Sequence, residues 1–113
     1  MKKQKISEFV EYNNEKFTKR IMFKEGDSTV FVLNFEPGQS LPTHKHPGSH
    51  VYLLVLQGQG VFTINNEKVE VEKDDVVLCT GEEEMAFTNT GTTNCSLYVN
   101  LNKIPNERYA ENI

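Results

Sequence analysis

The sequence predicts an all-β fold, an antiparallel barrel or sandwich, and three observations carry that prediction. Short runs rich in β-branched and aromatic residues recur roughly every 6–12 residues. Glycine, proline and asparagine turns separate them. No stretch sustains the 3.6-residue apolar period of an amphipathic helix. Taken in order, residues 17–23 form a first candidate strand, and 28–35 (STVFVLNF), closed by Pro37-Gly38, a second. A Pro/Gly/His-rich stretch over 37–48 reads as a connection. Residues 51–56 (VYLLVL) are a short continuous apolar run, broken by Gly58 and Gly60 before the strand 61–64. Asn65-Asn66 is a tight hairpin signal. Residues 68–72 alternate with a period of two, Asp74-Asp75 suits a turn, and strands over 76–79, 85–89 and 95–101 complete the set. The run 51–56 lacks the alternation of a strand with one wet face, so both of its faces are expected to be covered. Residues 1–15 and 106–113 are the only candidates for helical or loose structure.

At 113 residues the chain fits one domain. The expected layout is a barrel core over about 17–101, an N-terminal arm over 1–16 and a tail over 102–113. Twelve Lys and Arg against sixteen Asp and Glu give a net charge of −4. That balance argues against a nucleic-acid surface, which needs clustered cations. No apolar run approaches the roughly 18–20 residues of a membrane helix. The basic start is followed by a polar stretch over 7–16, unlike a signal-peptide core, and a cytoplasmic location is expected. Cys79 and Cys95 match no metal or redox spacing and sit in apolar surroundings, as small, reduced, buried side chains do. The apolar run over 51–56 and the number of Phe and Leu residues predict a homodimer that covers an outer sheet face.

All three histidines, His44, His46 and His50, fall within seven residues. Side chains two or four apart on an extended chain share one side. The three converge provided 47–49 does not reverse the chain. Neutral imidazole is a common transition-metal ligand, and three of them leave coordination positions open. In a regular strand Tyr52 shares the face of His50 and is a candidate ligand-binding residue. Phe62 and Phe87 are candidates to line a substrate pocket or, alternatively, to fill the core.

The stretch from Gly38 through five residues to His44-Lys45-His46, then His50 and the strand ending at Gly58, resembles the first motif of the cupin family. That resemblance implies a double-stranded β-helix, or jelly-roll barrel, with metal-binding histidines on the inner wall. It aligns His50 with the family's glutamate, as in small cupins that bind manganese or a similar metal through four histidines. The second motif departs from the pattern. Asp75, an apolar strand, Gly81 and Asn89 match, but the expected glycine at 74 and the proline are missing, and Met85 stands where the last histidine belongs. Met85 is then a soft thioether ligand or a core filler, and Glu83 or Glu84 is an alternative carboxylate donor.

The resemblance implies one divalent transition metal (Mn, Fe, Ni, Cu and Zn are not distinguished) held by His44, His46 and His50 with Met85 facing the same cavity. Three functions follow as expectations. One is a metal-dependent oxygenase- or isomerase-like enzyme acting on a small molecule. The second is a non-catalytic barrel that binds a small ligand or metal. The third is a structural dimer with vestigial histidines.

Overall fold

The computed structural model describes residues 1–104. Nine antiparallel strands form two sheets: β1 (Thr18–Glu25), β2 (Ser28–Phe35), β3 (Ser40–His44), β4 (Ser49–Gln57), β5 (Gln59–Ile64), β6 (Glu67–Glu72), β7 (Val76–Thr80), β8 (Met85–Thr88) and β9 (Cys95–Lys103). The larger sheet runs β1-β2-β9-β4-β7 and the smaller β3-β8-β5-β6. The two sheets face one another as a double-stranded β-helix, the jelly-roll barrel implied by the sequence. The segment 106–113, expected to be helical or loose, lies outside the described residues.

Side-chain alternation decides which residues meet between the sheets. On β2 the inward set is Phe31, Leu33 and Phe35, on β4 Val51, Leu53 and Val55, and on β9 Cys95, Leu97 and Val99, all buried. The smaller sheet answers with Phe62 and Met85 and with Phe87, whose ring lies 5.0 Å from Phe35 and 4.7 Å from Phe62, centroid to centroid. Phe17, just before β1, stacks on Phe35 at 5.3 Å. Phe62 and Phe87 are therefore the floor of the core, fully enclosed by other side chains. The expectation that they line a substrate pocket is corrected on that ground.

Turn chemistry matches the chain's punctuation. Asn65 and Asn66 both adopt positive φ, 49° and 68°, as the two-residue hairpin joining β5 to β6 requires. Asn89, fully buried, braces the connection after β8. Its amide donates to the carbonyls of Phe35 and Thr93, and its side-chain oxygen accepts from Gly91 N–H. Both cysteines are free and buried, and burial pushes the Cys95 thiol up to about 11.

One strand has no counterpart among the sequence-based expectations. β3 lies in the Pro/Gly/His-rich stretch read as a connection. It pairs only with β8, at the edge of its sheet, so Pro42 removes no ladder bond that a second neighbour would need.

The N-terminal segment crosses the outer face of the larger sheet. A 3-10 turn spans Ile6–Phe9. The Asn34 amide donates to Phe9 O, the Ser96 hydroxyl donates to Asn34 Oδ1, and Tyr12 bonds Ser96. Buried polar side chains on β2 and β9 are satisfied in this way, as the low dielectric of the interior demands.

The packing of Phe87 between two rings predicts a large truncation cost. Phe87→Ala should lower unfolding stability by about 3–5 kcal/mol, read from the midpoint of urea denaturation at unchanged slope.

Candidate functional site

A cavity of about 210 Å³ lies between the sheets, beside the aromatic core. Phe31, Leu33, Val51, Leu53 and Val99 of the larger sheet form one wall, and Leu41, His44 and Met85 of the smaller sheet the other. His46, Phe17 and Lys19 complete it.

A bulge and a turn place these side chains. On β3, Leu41 pairs with Phe87 but His44 pairs with Met85, so two residues between them on β3, Pro42 and Thr43, oppose one on β8, Ala86. The extra residue lets Leu41 and His44, an odd number apart, both face inward. After His46 the chain reverses. Ser49 N–H donates to His46 O at 3.0 Å, with Pro47 and a positive-φ Gly48 between them, the signature of a type II turn. The turn resets the alternation. On β4 the inward residues are Ser49, Val51, Leu53 and Val55, while His50 and Tyr52 belong to the opposite face, where Tyr52 is 42% exposed.

Two expectations are corrected by this geometry. His50 does not join His44 and His46, because the chain reversal at 47–48 breaks the extended spacing on which their convergence depended. The β4 residue that reaches the cavity is Val51. Tyr52, expected to share an inward face with His50, shares an outward one, and it lies outside the cavity wall. The carboxylate alternative fails too. Glu83 accepts from Thr80 N–H and Oγ1 within its own turn, which holds its carboxyl below the usual range, and Glu84 is exposed.

What the structure brings together is His44, His46 and Met85. The two imidazoles stand edge to face at 4.5 Å between centroids. His44 Nδ1 lies 2.6 Å from the carbonyl of Pro42. A carbonyl only accepts, so Nδ1 carries a proton, and Nε2 is the ring nitrogen left free of that bond. Burial, then His44, then Lys19 push the His46 pKa down from its ordinary 6.5, so that ring is neutral at pH 7. Lys19 was missed from sequence: its Nζ sits 4.5 Å from the centroid of Phe31, on the cavity wall.

These donors do not fit a divalent transition metal of the kind the sequence implied. Two imidazoles and one thioether make up the set. The β4 position that would add a third strong donor is Val51, and the lysine opposes a cation. Among the described residues no group of three or more His, Cys, Asp or Glu is placed to hold a metal ion.

The comparisons with known proteins agree with the fold. The family model of the cupin domain matches residues 31–100, and the chain belongs to the cupin family. Tetracenomycin polyketide synthase protein TcmJ of Streptomyces glaucescens is 32% identical over 68 residues, 58% of this chain and 46% of that protein. An oxalate-binding protein of Thermotoga maritima is 34% identical over 61 residues, 54% of this chain and 50% of its own length. The chain thus spans about half the length of these curated relatives. The TT1209 protein of Thermus thermophilus superposes with a TM-score of 0.86 at 21% identity, over 93% of this chain and all of that one, a likeness of fold.

If two missing donors account for the misfit, restoring them should create a metal site. The double variant Val51→Glu, Met85→His should retain one Mn or Zn ion per chain after dialysis, measured by elemental analysis. The unaltered chain should retain none under the same dialysis, and His50→Ala in the double variant should leave the retained metal unchanged.

Proposed function

We propose that this chain is a non-catalytic binding barrel that takes a small organic molecule into the cavity between its sheets without a divalent metal. One observation carries the reading: among the described residues apolar side chains dominate the cavity wall, and its ionisable groups are two imidazoles and one ammonium. Small-molecule sites have that constitution, apolar walls with a few placed polar groups. A cavity of about 150 Å³ is enough to hold benzene, so 210 Å³ admits a ring with a small substituent. The likeness to a protein described as oxalate-binding supports a small organic ligand. A second reading rests on Met85: two imidazoles and a thioether are a soft donor set that suits Cu(I) better than Mn or Zn. A cytoplasmic location remains the reading that two free, buried cysteines favour. Among the described residues no helix is long and apolar enough to cross a membrane.

The assay is thermal unfolding of metal-stripped protein. Small aromatic molecules at about 100 times their Kd should stabilise it by about 2.7 kcal/mol, a rise of several degrees in Tm. Leu41→Trp, which fills the cavity, should abolish the rise. Mn and Zn should leave Tm unchanged, and a Cu(I)-specific rise lost in Met85→Leu would favour the second reading. Stoichiometric divalent metal in freshly purified protein, lost in His46→Ala, would overturn the proposal.

We further propose that a second copy of this chain covers the outer face of β4 and β7. Tyr52 pairs with Leu78 and Leu54 with Val76 across these strands, and Tyr52, Val76 and Leu78 are exposed. The chain's own N-terminal segment covers the other end of the same face, over β2 and β9. Light scattering should give a dimer at tens of micromolar, and Leu78→Glu should give a monomer with unchanged circular dichroism.

A further inference from the structure

The cavity has a charge of its own. Eleven of the described residues line it, and among them are one lysine, two histidines and no aspartate or glutamate. The whole chain has the opposite balance, sixteen acidic residues against twelve basic. Among the described residues Lys19 forms no ion pair, as is also true of Lys3, Lys5, Lys16, Lys24, Lys45 and Lys68, but of these it alone lines the cavity. Its side chain bends over the Phe31 ring instead, with Nζ 4.5 Å from the ring centroid. Attraction of a cation to the ring face draws the ammonium toward the cavity wall, while the residue stays exposed to water.

We propose that the ligand is a small carboxylate with an apolar body, its head held by Lys19 and its body packed between Leu33, Leu53, Met85 and Val99. This rests on the binding-barrel reading and names the class of ligand. Three features of the cavity support it. The ammonium supplies an unopposed positive charge at the cavity wall, where a charge-assisted hydrogen bond is stronger than one between neutral groups. His46 lines the same cavity, and its ring can donate an N–H. His44 is set differently: its Nδ1 proton is already given to the Pro42 carbonyl, so that N–H is not available to the carboxylate. The carboxylate therefore belongs on the Lys19 and His46 side. The apolar walls require a body as well as a head, which separates this ligand from a bare dianion such as oxalate: that ion would bring a second charge against Val51, Leu53 and Met85 with nothing to pair it.

Lys19 is an exposed residue of β1 whose contact with the core is the face of the Phe31 ring, and a methionine of similar length can keep that contact, so Lys19→Met should leave the fold intact. The test compares benzoate with nitrobenzene, a neutral molecule of the same shape that also lacks hydrogen-bond donors, by NMR titration of the metal-stripped full chain at pH 7.5. The unaltered chain should bind benzoate at least tenfold more tightly than nitrobenzene, and oxalate more weakly than benzoate. Lys19→Met should lose that tenfold preference and keep its affinity for nitrobenzene, with shift changes still mapping to Met85 and Val99. Equal affinity for the two rings in the unaltered chain would overturn the anion assignment and leave the binding barrel standing. So would undiminished benzoate binding by Lys19→Met. Failure of both rings to bind the unaltered chain would overturn the barrel reading, and the carboxylate assignment with it.

Discussion

The backbone of Gly81 lies directly against the turn between β3 and β4. Its carbonyl accepts from His46 N–H at 3.2 Å. A methyl group on its α-carbon would sit 2.3 Å from His46 O and 2.6 Å from Ser49 O, far inside contact distance. Only glycine allows this approach, and the approach clamps the turn at 46–49 against the start of the β7–β8 connection. From that clamp the site follows. The turn sets which residues of β4 face inward. The same connection delivers Met85 to the partner position of His44, so one backbone contact aligns both walls of the cavity. A side chain at position 81 would displace the turn and the histidine next to it together.

Much of this fold is legible in the sequence because its signals are local. β2 runs over 28–35 as its aromatic and β-branched run implies, Asn65-Asn66 makes the hairpin turn it encodes, and the absence of helical period excludes other classes. What local signals miss is set by partners distant in the chain. β3 escapes notice because an edge strand tolerates Pro42 and needs little apolar content. Lys19 escapes because nothing near it in sequence indicates that its ammonium will settle on Phe31, twelve positions away. The histidines are the instructive case. Their spacing of two and four suits a continuous strand, and the Pro47-Gly48 pair between them is itself a turn signal. Given full weight, that signal would have placed Val51, not His50, on the inner face.

A cupin barrel in which the inward positions carry Val51 and Met85 keeps the container and changes its contents. The aromatic cluster of Phe35, Phe62 and Phe87 closes one side of the interior, and the cavity occupies the space alongside it. The backbone satisfies some of the polar groups that enter, as with His44 on the Pro42 carbonyl and Asn89 on three backbone groups. In the binding barrel proposed above, recognition would depend on shape, desolvation and a single ammonium rather than on coordination chemistry. One architecture supports such different uses because the walls are set by strand alternation, while the chemistry depends on a few side chains projecting from them.

The position of β9 has a consequence for how the chain emerges from the ribosome. β9 pairs along its whole length with both β2 and β4, and so occupies the middle of the larger sheet. It is also the last strand in order of synthesis among the described residues. Until it arrives, β2 and β4 have no neighbour between them, and both present open backbone edges flanked by Val, Leu and Phe. Closure is therefore a late event that joins residues about 70 positions apart, and pairings of such long range form slowly. The nascent barrel spends that interval as an open sheet prone to pairing with other chains, so demand on chaperones should peak just before β9 is released.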